Sequence, residues 1–292
     1  MKILKKNIKI IFKYSFMLLI LLTMSNQMIV KSEERGNETI VQAQIVLTVS
    51  ESKRLIARAV AQMPVINRVL NEGMIIITKG TTNTYVAEEI TGQKIEKGAF
   101  VSGRIYPAKG DKRLQPSARV SDIVLINGKV IEGLSLADAV KELKQGDVVI
   151  KGANALDYSN KTAGVFIYSS PTASGGTTGT FIPYAIARKA HIVIPVGLEK
   201  NIAGNVVDLT KKMNEPIESL NRNYSMFLLT GEIVTEIEAL KILTGISAFQ
   251  AGAGGIGGAE GSVSLVLRGQ KEQVEKALEL VGEIQGEPPF AE

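Results

Sequence analysis

The feature that most restricts the fold is a repeated unit, a short apolar run that ends in a polar, glycine-bearing turn. "MIIITKGTTNTYVAEEI" (74–90) shows it most plainly: a strand-like run passes through Lys79 and Gly80 into a helix-like stretch. "DVVIKGANALDYSNK" (147–161) and "HIVIPVG" (191–197) repeat the run and the turn, and "GVFIYSS" (164–170) adds a further buried-strand pattern. A strand that is apolar at successive positions needs cover on both faces. Such strands alternating with helices build parallel, helix-covered sheets.

Helices are expected on both sides of these runs. Over residues 50–70, Leu55, Ile56, Ala59, Val60 and Met63 share one helical face, with a break at Pro64. Residues 82–90 and 135–146 are helical by pattern, the second with Ser135 as N-cap and Gly146 past its end. Asn127-Gly128 between two apolar runs predicts a hairpin. The tail differs in character, with strand-like 224–231 and 262–269 and helix-like 235–245 and 270–284. The expected organisation is therefore an α/β fold with a mostly parallel sheet covered by helices over 45–210, then a small C-terminal α+β domain, ferredoxin-like, over 222–286.

Residues 1–32 stand apart. Lys2, Lys5, Lys6, Lys9 and Lys13 precede an apolar core at 16–22, and Thr23, Ser25, Asn26 and Gln27 then interrupt it. A spanning helix needs about 20 apolar residues. The pattern fits a signal-like or anchor-like segment, with small-residue cleavage sites after Ser25 or Ser32. The alternative is a translation start assigned too far upstream of Met28. The first reading makes the protein exported or membrane-anchored, with the membrane reached only through this segment; the second makes it cytoplasmic.

Composition closes several routes. Without those five lysines the chain has 29 basic and 29 acidic residues, so no nucleic-acid surface is indicated. With no Cys, disulfides and thiol chemistry are excluded. His191 is the only histidine, which disfavours a His-based metal site or a Ser-His-Asp triad. No metal and no cofactor are expected.

The turns after the strands carry the chemistry. At 79–83, Lys79 offers charge, Gly80 close backbone approach, and Thr81, Thr82 and Asn83 polar donors at a helix start. That set either cradles a phosphate or carboxylate or merely caps the helix. Gly175, Gly176, Thr177 and Thr178 repeat the logic as a second wall of the same pocket, but no Lys follows the glycines as a P-loop requires. In 151–161, Lys151, Asn154, Asp157 and Lys161 lie just beyond a buried strand. Asp157 near Lys151 or Lys161 is a candidate general base if burial raises its pKa, with a lysine stabilising an enediolate; otherwise this is a solvated loop. "GAGGIG" (252–257) matches a dinucleotide fingerprint only formally, because a strand and not a helix follows it.

Taken together, "GMIIITKGTTNTYVAEEI", "GDVVIKGANALD" and "GGTTGTFIPYAIARKAHIVIPVGLE" resemble the superfamily of ribose-5-phosphate isomerase A, DeoR-type effector domains, translation-factor-2B-like isomerases and CoA transferases. The resemblance covers roughly residues 50–285. It implies an isomerase/CoA-transferase-like sheet whose first strand–turn–helix binds phosphate. The isomerase's acidic motif is replaced here by Lys151-Gly152-Ala153-Asn154-Ala155, with Asp157 the first acid. The expected partner is a small anionic metabolite, either bound without catalysis or turned over by isomerase-type or transferase-type chemistry; a homo-oligomer is left open.

Overall fold

A computed structural model describes residues 39–102, 105–109, 115–170, 173–221 and 224–290. The expectations for residues 1–32 lie outside them. In chain order the strands are β1 (Ile40–Leu47), β2 (Met74–Ile77), β3 (Ile123–Ile126), β4 (Lys129–Val130), β5 (Val148–Ile150), β6 (Ala155–Asp157), β7 (Thr162–Ile167), β8 (Ser169–Ser170), β9 (Ala173–Ser174), β10 (His191–Pro195), β11 (Ser225–Leu229), β12 (Glu232–Val234), β13 (Ser247–Ala253) and β14 (Val263–Gln270). The helices are α1 (Val49–Gln62), α2 (Pro64–Asn71), α3 (Thr81–Thr91), α4 (Leu136–Glu142), α5 (Gly176–Ala187), α6 (Val206–Met213), α7 (Glu236–Thr244) and α8 (Lys271–Ile284).

The fold is mixed α/β, built on a six-stranded mixed sheet ordered β12-β10-β5-β2-β3-β4. The first four of these run parallel, and β3 and β4 add an antiparallel hairpin. Met74 to Ile77 and Val148 to Ile150 are buried at every position. Because successive side chains point to opposite faces, both faces of the sheet are covered. Helix α1 packs on β10 and β12, α2 on β2 and β5, and α3 on β2. The hairpin turn takes the form its sequence demands: Asn127 and Gly128 both have positive φ (47° and 75°), the combination that Asn-Gly tolerates.

Two stretches depart from the expected layout. "GVFIYSS" supplies β7, which joins no parallel sheet; it pairs antiparallel with β6 and β11 in a separate three-stranded sheet. A tight turn from Asp157 to Thr162 makes β6 and β7 a hairpin, so β7 cannot reach the parallel stack. Ala155, Val206 and Met226 form a small core between this sheet and α6. The expected C-terminal unit, 222–286, contributes to three sheets: β11 joins β7, β12 extends the main sheet, and β13 and β14 form the sheet β1-β14-β13. Residues 42–292 form one compact unit. The "GAGGIG" glycines sit at the end of β13 and in its turn toward β14.

Helix α1 begins with a capping box, Thr48 Oγ1 accepting from Glu51 N–H and Glu51 Oε2 accepting from Thr48 N–H. Its first turn is buried although it reads Ser50-Glu51-Ser52-Lys53-Arg54. Arg54 resolves part of that paradox. Its guanidinium donates to Glu88 (2.7 Å), Glu89 (2.8 Å) and Glu287 (3.0 Å) and lies over the Tyr85 ring, tying α1 to α3 and the C-terminal tail. Lys53 points elsewhere.

Candidate functional site

Strands β12, β10, β5 and β2 are parallel neighbours, so their carboxyl ends line up along one edge. The register puts Val234 beside Pro195, Val193 beside Ile150, and Ile150 beside Ile77. Ligands of open α/β sheets bind along such an edge. The residues that follow it here are Thr78-Lys79-Gly80 leading into α3, Lys151-Gly152-Ala153, Gly197 with a 3-10 turn at Leu198–Lys200, and Thr235-Glu236 opening α7.

Asn83 fastens two of these ends. It is fully buried, and its amide donates to Thr78 O (2.7 Å) and Ile150 O (3.2 Å), bracing the ends of β2 and β5. Its Oδ1 has no partner among the described residues and lies 3.7 Å from where a Cβ on Gly152 would stand. Thr82, 3% exposed, likewise leaves Oγ1 unpartnered. Gly80 caps α3 without a side chain, so the first-turn amides of this helix have no side-chain acceptor. The cradle is narrower than the sequence suggests, however. Lys79 N–H donates to Asp122 (2.8 Å) and Gly80 N–H to Phe100 O (3.0 Å), so these two backbone donors are taken.

Lysines gather beside this helix start. Lys151 Nζ has only a long contact, 3.4 Å, with Gly152 O, and its pKa is pushed down to about 8, first by burial and then by Lys200. Lys200 Nζ donates to Ala153 O at 2.8 Å. Lys53, buried on α1, reaches the same region with Nζ 4.0 Å from Glu199 Oε1. Burial lowers its pKa to about 8, with Lys200 acting in the same direction and Glu199 and Glu236 opposing.

Two carboxyl groups complete the cluster. Glu236 is fully buried; Oε2 accepts from Leu198 N–H at 2.9 Å, and the Ser52 side chain lies beside the same carboxyl. Its pKa is pushed up to about 7, by burial and then by the nearby charge of Glu199. Glu199 folds back over Gly197 so closely that a Cβ there would stand 1.8 Å from Oε2. Only glycine accommodates that fold-back. The edge therefore holds Lys53, Lys79, Lys151 and Lys200, the two carboxyl groups of Glu199 and Glu236, and the start of α3, which no side chain caps.

The other expected site residues fall elsewhere. Asp157 is buried, but its carboxylate accepts from Asn160 N–H (3.0 Å) and Asn160 Nδ2 (2.8 Å) and from the N–H groups of Ser159 and Val206. Those hydrogen bonds, Asn160's first, hold its pKa below the ordinary value, the reverse of what a general base needs. It closes the β6–β7 turn. Lys161 pairs with Glu238 at 2.8 Å and lies over the Tyr158 ring. Asn154 Oδ1 accepts from Phe166 N–H inside the same hairpin. Gly175 and Gly176 both have positive φ and open α5; Gly175 N–H donates to Tyr168 O, and Thr178 is buried. Among the described residues no hydrogen bond links this turn to 79–83.

Lys53, Glu199, Lys200 and Glu236 were not among the expected site residues. For Glu199, Lys200 and Glu236 a signal existed, since polar residues directly after an apolar strand singled out 79–83 and 151–161 as well. Lys53 carries no such mark. Among the described residues no group of three or more His, Asp or Glu is placed to hold a metal ion, and no helix is long and apolar enough to cross a membrane. No protein family, curated protein or solved structure matches the chain.

Proposed function

We propose that the protein binds a small anionic metabolite, one carrying a phosphate or carboxylate, at the carboxyl edge of its parallel strands. The observation that carries this reading is the cluster of Lys53, Lys151 and Lys200 at the strand edge where α3 also starts, without a side-chain cap. Positive charge in surplus over carboxylate, with unpaired helix amides beside it, is what an anion exchanges its water for. The reading keeps the isomerase/CoA-transferase-like fold with a ferredoxin-like C-terminal part as its frame. Four parallel strands with polar turns at one edge support the sheet part of that frame.

The test is thermal unfolding of the full chain with inorganic phosphate and with a pentose phosphate. An anion at 100 times its Kd should stabilise the protein by about 2.7 kcal/mol. The double variant Thr82→Val, Lys200→Met should lose that stabilisation while still unfolding cooperatively. Stabilisation that survives in the double variant would remove the strand edge as the anion site.

A second reading, isomerase-type catalysis, is favoured by one observation. Glu236, rather than Asp157, has the near-neutral pKa that suits proton transfer, and it lies buried at the strand edge. Turnover of a pentose phosphate that is lost in Glu236→Gln and kept in Asp157→Asn would support it.

A further inference from the structure

The lysines around the strand edge differ in their partners. Lys53 faces Glu199, Lys200 donates to Ala153 O, and Lys97 lies 3.8 Å over the Tyr85 ring and 3.8 Å from Glu287. Lys151 has less. Among the described residues it has no ion-pair partner within 4.0 Å, and its single polar contact is the long one to the carbonyl of the next residue. It follows the central strand β5 directly, and its neighbour Gly152 abuts the fully buried, half-satisfied Asn83. The charged groups that face it are Lys200 and, more weakly, Asp122. It is partly exposed, so a small molecule can reach it.

We propose that Lys151 is an amine nucleophile that forms an imine with a small anionic aldehyde or ketone held at this edge. The inference rests on the anion-site reading above and adds covalent chemistry to it. An amine attacks a carbonyl only when it has lost its proton. A lysine does so near neutral pH when it is partly desolvated and set beside another cation. Both conditions hold here, from burial and from Lys200, and lower the pKa from 10.5 to about 8. The neutral fraction at pH 7 then exceeds that of an ordinary lysine on the order of 10²-fold. The step balances without an oxidant or reductant. The nitrogen lone pair forms the C–N bond, the carbonyl oxygen takes up the two protons released by the amine, and that oxygen leaves as water. Ammonium plus carbonyl thus gives a protonated imine plus water. The anionic end of the same molecule lies against the start of α3, which orients the carbonyl toward the amine.

Pyridoxal 5′-phosphate, an anionic aldehyde, is a direct probe. The full chain is incubated with it, reduced with borohydride, digested and mapped by mass spectrometry. Label on Lys151 is expected at about tenfold or more the level on exposed lysines such as Lys94 and Lys271. Inorganic phosphate should protect Lys151 alone, and Lys200→Gln should slow its labelling. Lys151→Arg should lose the label while the labelling of Lys94 and Lys271 stays unchanged. Label spread over surface lysines with none favouring Lys151 overturns the nucleophile, and a phosphate shift in the same sample leaves the binding reading standing. Selective label on Lys151 without phosphate protection or phosphate shift overturns the coupling of amine and anion site, and with it the binding reading.

Discussion

Glu236 makes the stability of the protein depend on pH in an unusual direction. Its carboxyl is fully buried and titrates at about 7 in the fold, against 4.5 when free. Over that window the folded state holds a proton that the unfolded state has released, so stability falls as pH rises. The contribution is fully present below about pH 4.5 and is lost as pH climbs through 7. At about 1.4 kcal/mol per pH unit, the gap amounts to about 3 kcal/mol. Lys53 and Lys151 act at higher pH with the opposite slope. Their folded pKa values, about 8, lie below 10.5, so stability returns as pH rises from 8. The expected curve has a trough between pH 7 and 8, where many proteins are near their maximum. Urea unfolding measured from pH 5 to 10 reads this directly, and with His191 the only histidine few other side chains titrate between 5 and 7. Glu236→Gln keeps an acceptor for Leu198 N–H and cannot ionise. It should flatten the fall between pH 5 and 7 and stabilise the protein at pH 8. A wild-type curve that is level or rising from 5 to 7, parallel to that of Glu236→Gln, would refute the buried acidic group.

Two further outcomes follow from the packing around the site. Gly197→Ala puts a Cβ 1.8 Å from Glu199 Oε2, the end of a side chain that can swing aside, and should cost about 1 kcal/mol in urea unfolding, whereas the same change in a Glu199→Ala background should cost less. Equal costs in both backgrounds would mean that Glu199 does not fold over Gly197. Arg54→Met should destabilise by about 3–5 kcal/mol, because Glu88, Glu89 and Glu287 lose their common buried cation; a loss under about 1 kcal/mol would mean the tail is not anchored there.

The local elements were legible because single residues dictate them. Pro64 divides α1 from α2, Asn127-Gly128 makes the hairpin, and Ser135 caps α4. Apolar runs identified β2, β5 and β10 as buried strands of a parallel sheet, and the start of α3 was found by its turn chemistry. The company of β7 was not legible. Its run is as apolar as that of β5, and only the tight turn that begins at Asp157 directs it into a hairpin. The misplacement of Asp157 in the expected site has the same origin. A carboxylate after a strand reads as reactive, yet four N–H groups of the turn and of α6 use it as an acceptor.

The lysine that sequence missed shows where pattern reading stops. A charge on an amphipathic helix is expected on the solvent face, and Lys53 and Arg54 stand side by side in α1 with nothing to mark them as buried. The distinction between them is made by residues 30 or more positions away. Arg54 is buried because Glu88, Glu89 and Glu287 converge on it, which is a structural use of charge. Lys53 is buried with one carboxylate at the limit of pairing distance, and it lies at the strand edge where Lys200 and Glu236 also point. A fold gains little from burying an under-paired ammonium, since desolvation outweighs attraction at that separation. Its lowered pKa measures that imbalance, and an anion bound at the strand edge would supply the missing charge. The ligand should therefore stabilise the protein most below about pH 7, where Lys53 and Lys151 are charged and Glu236 is not.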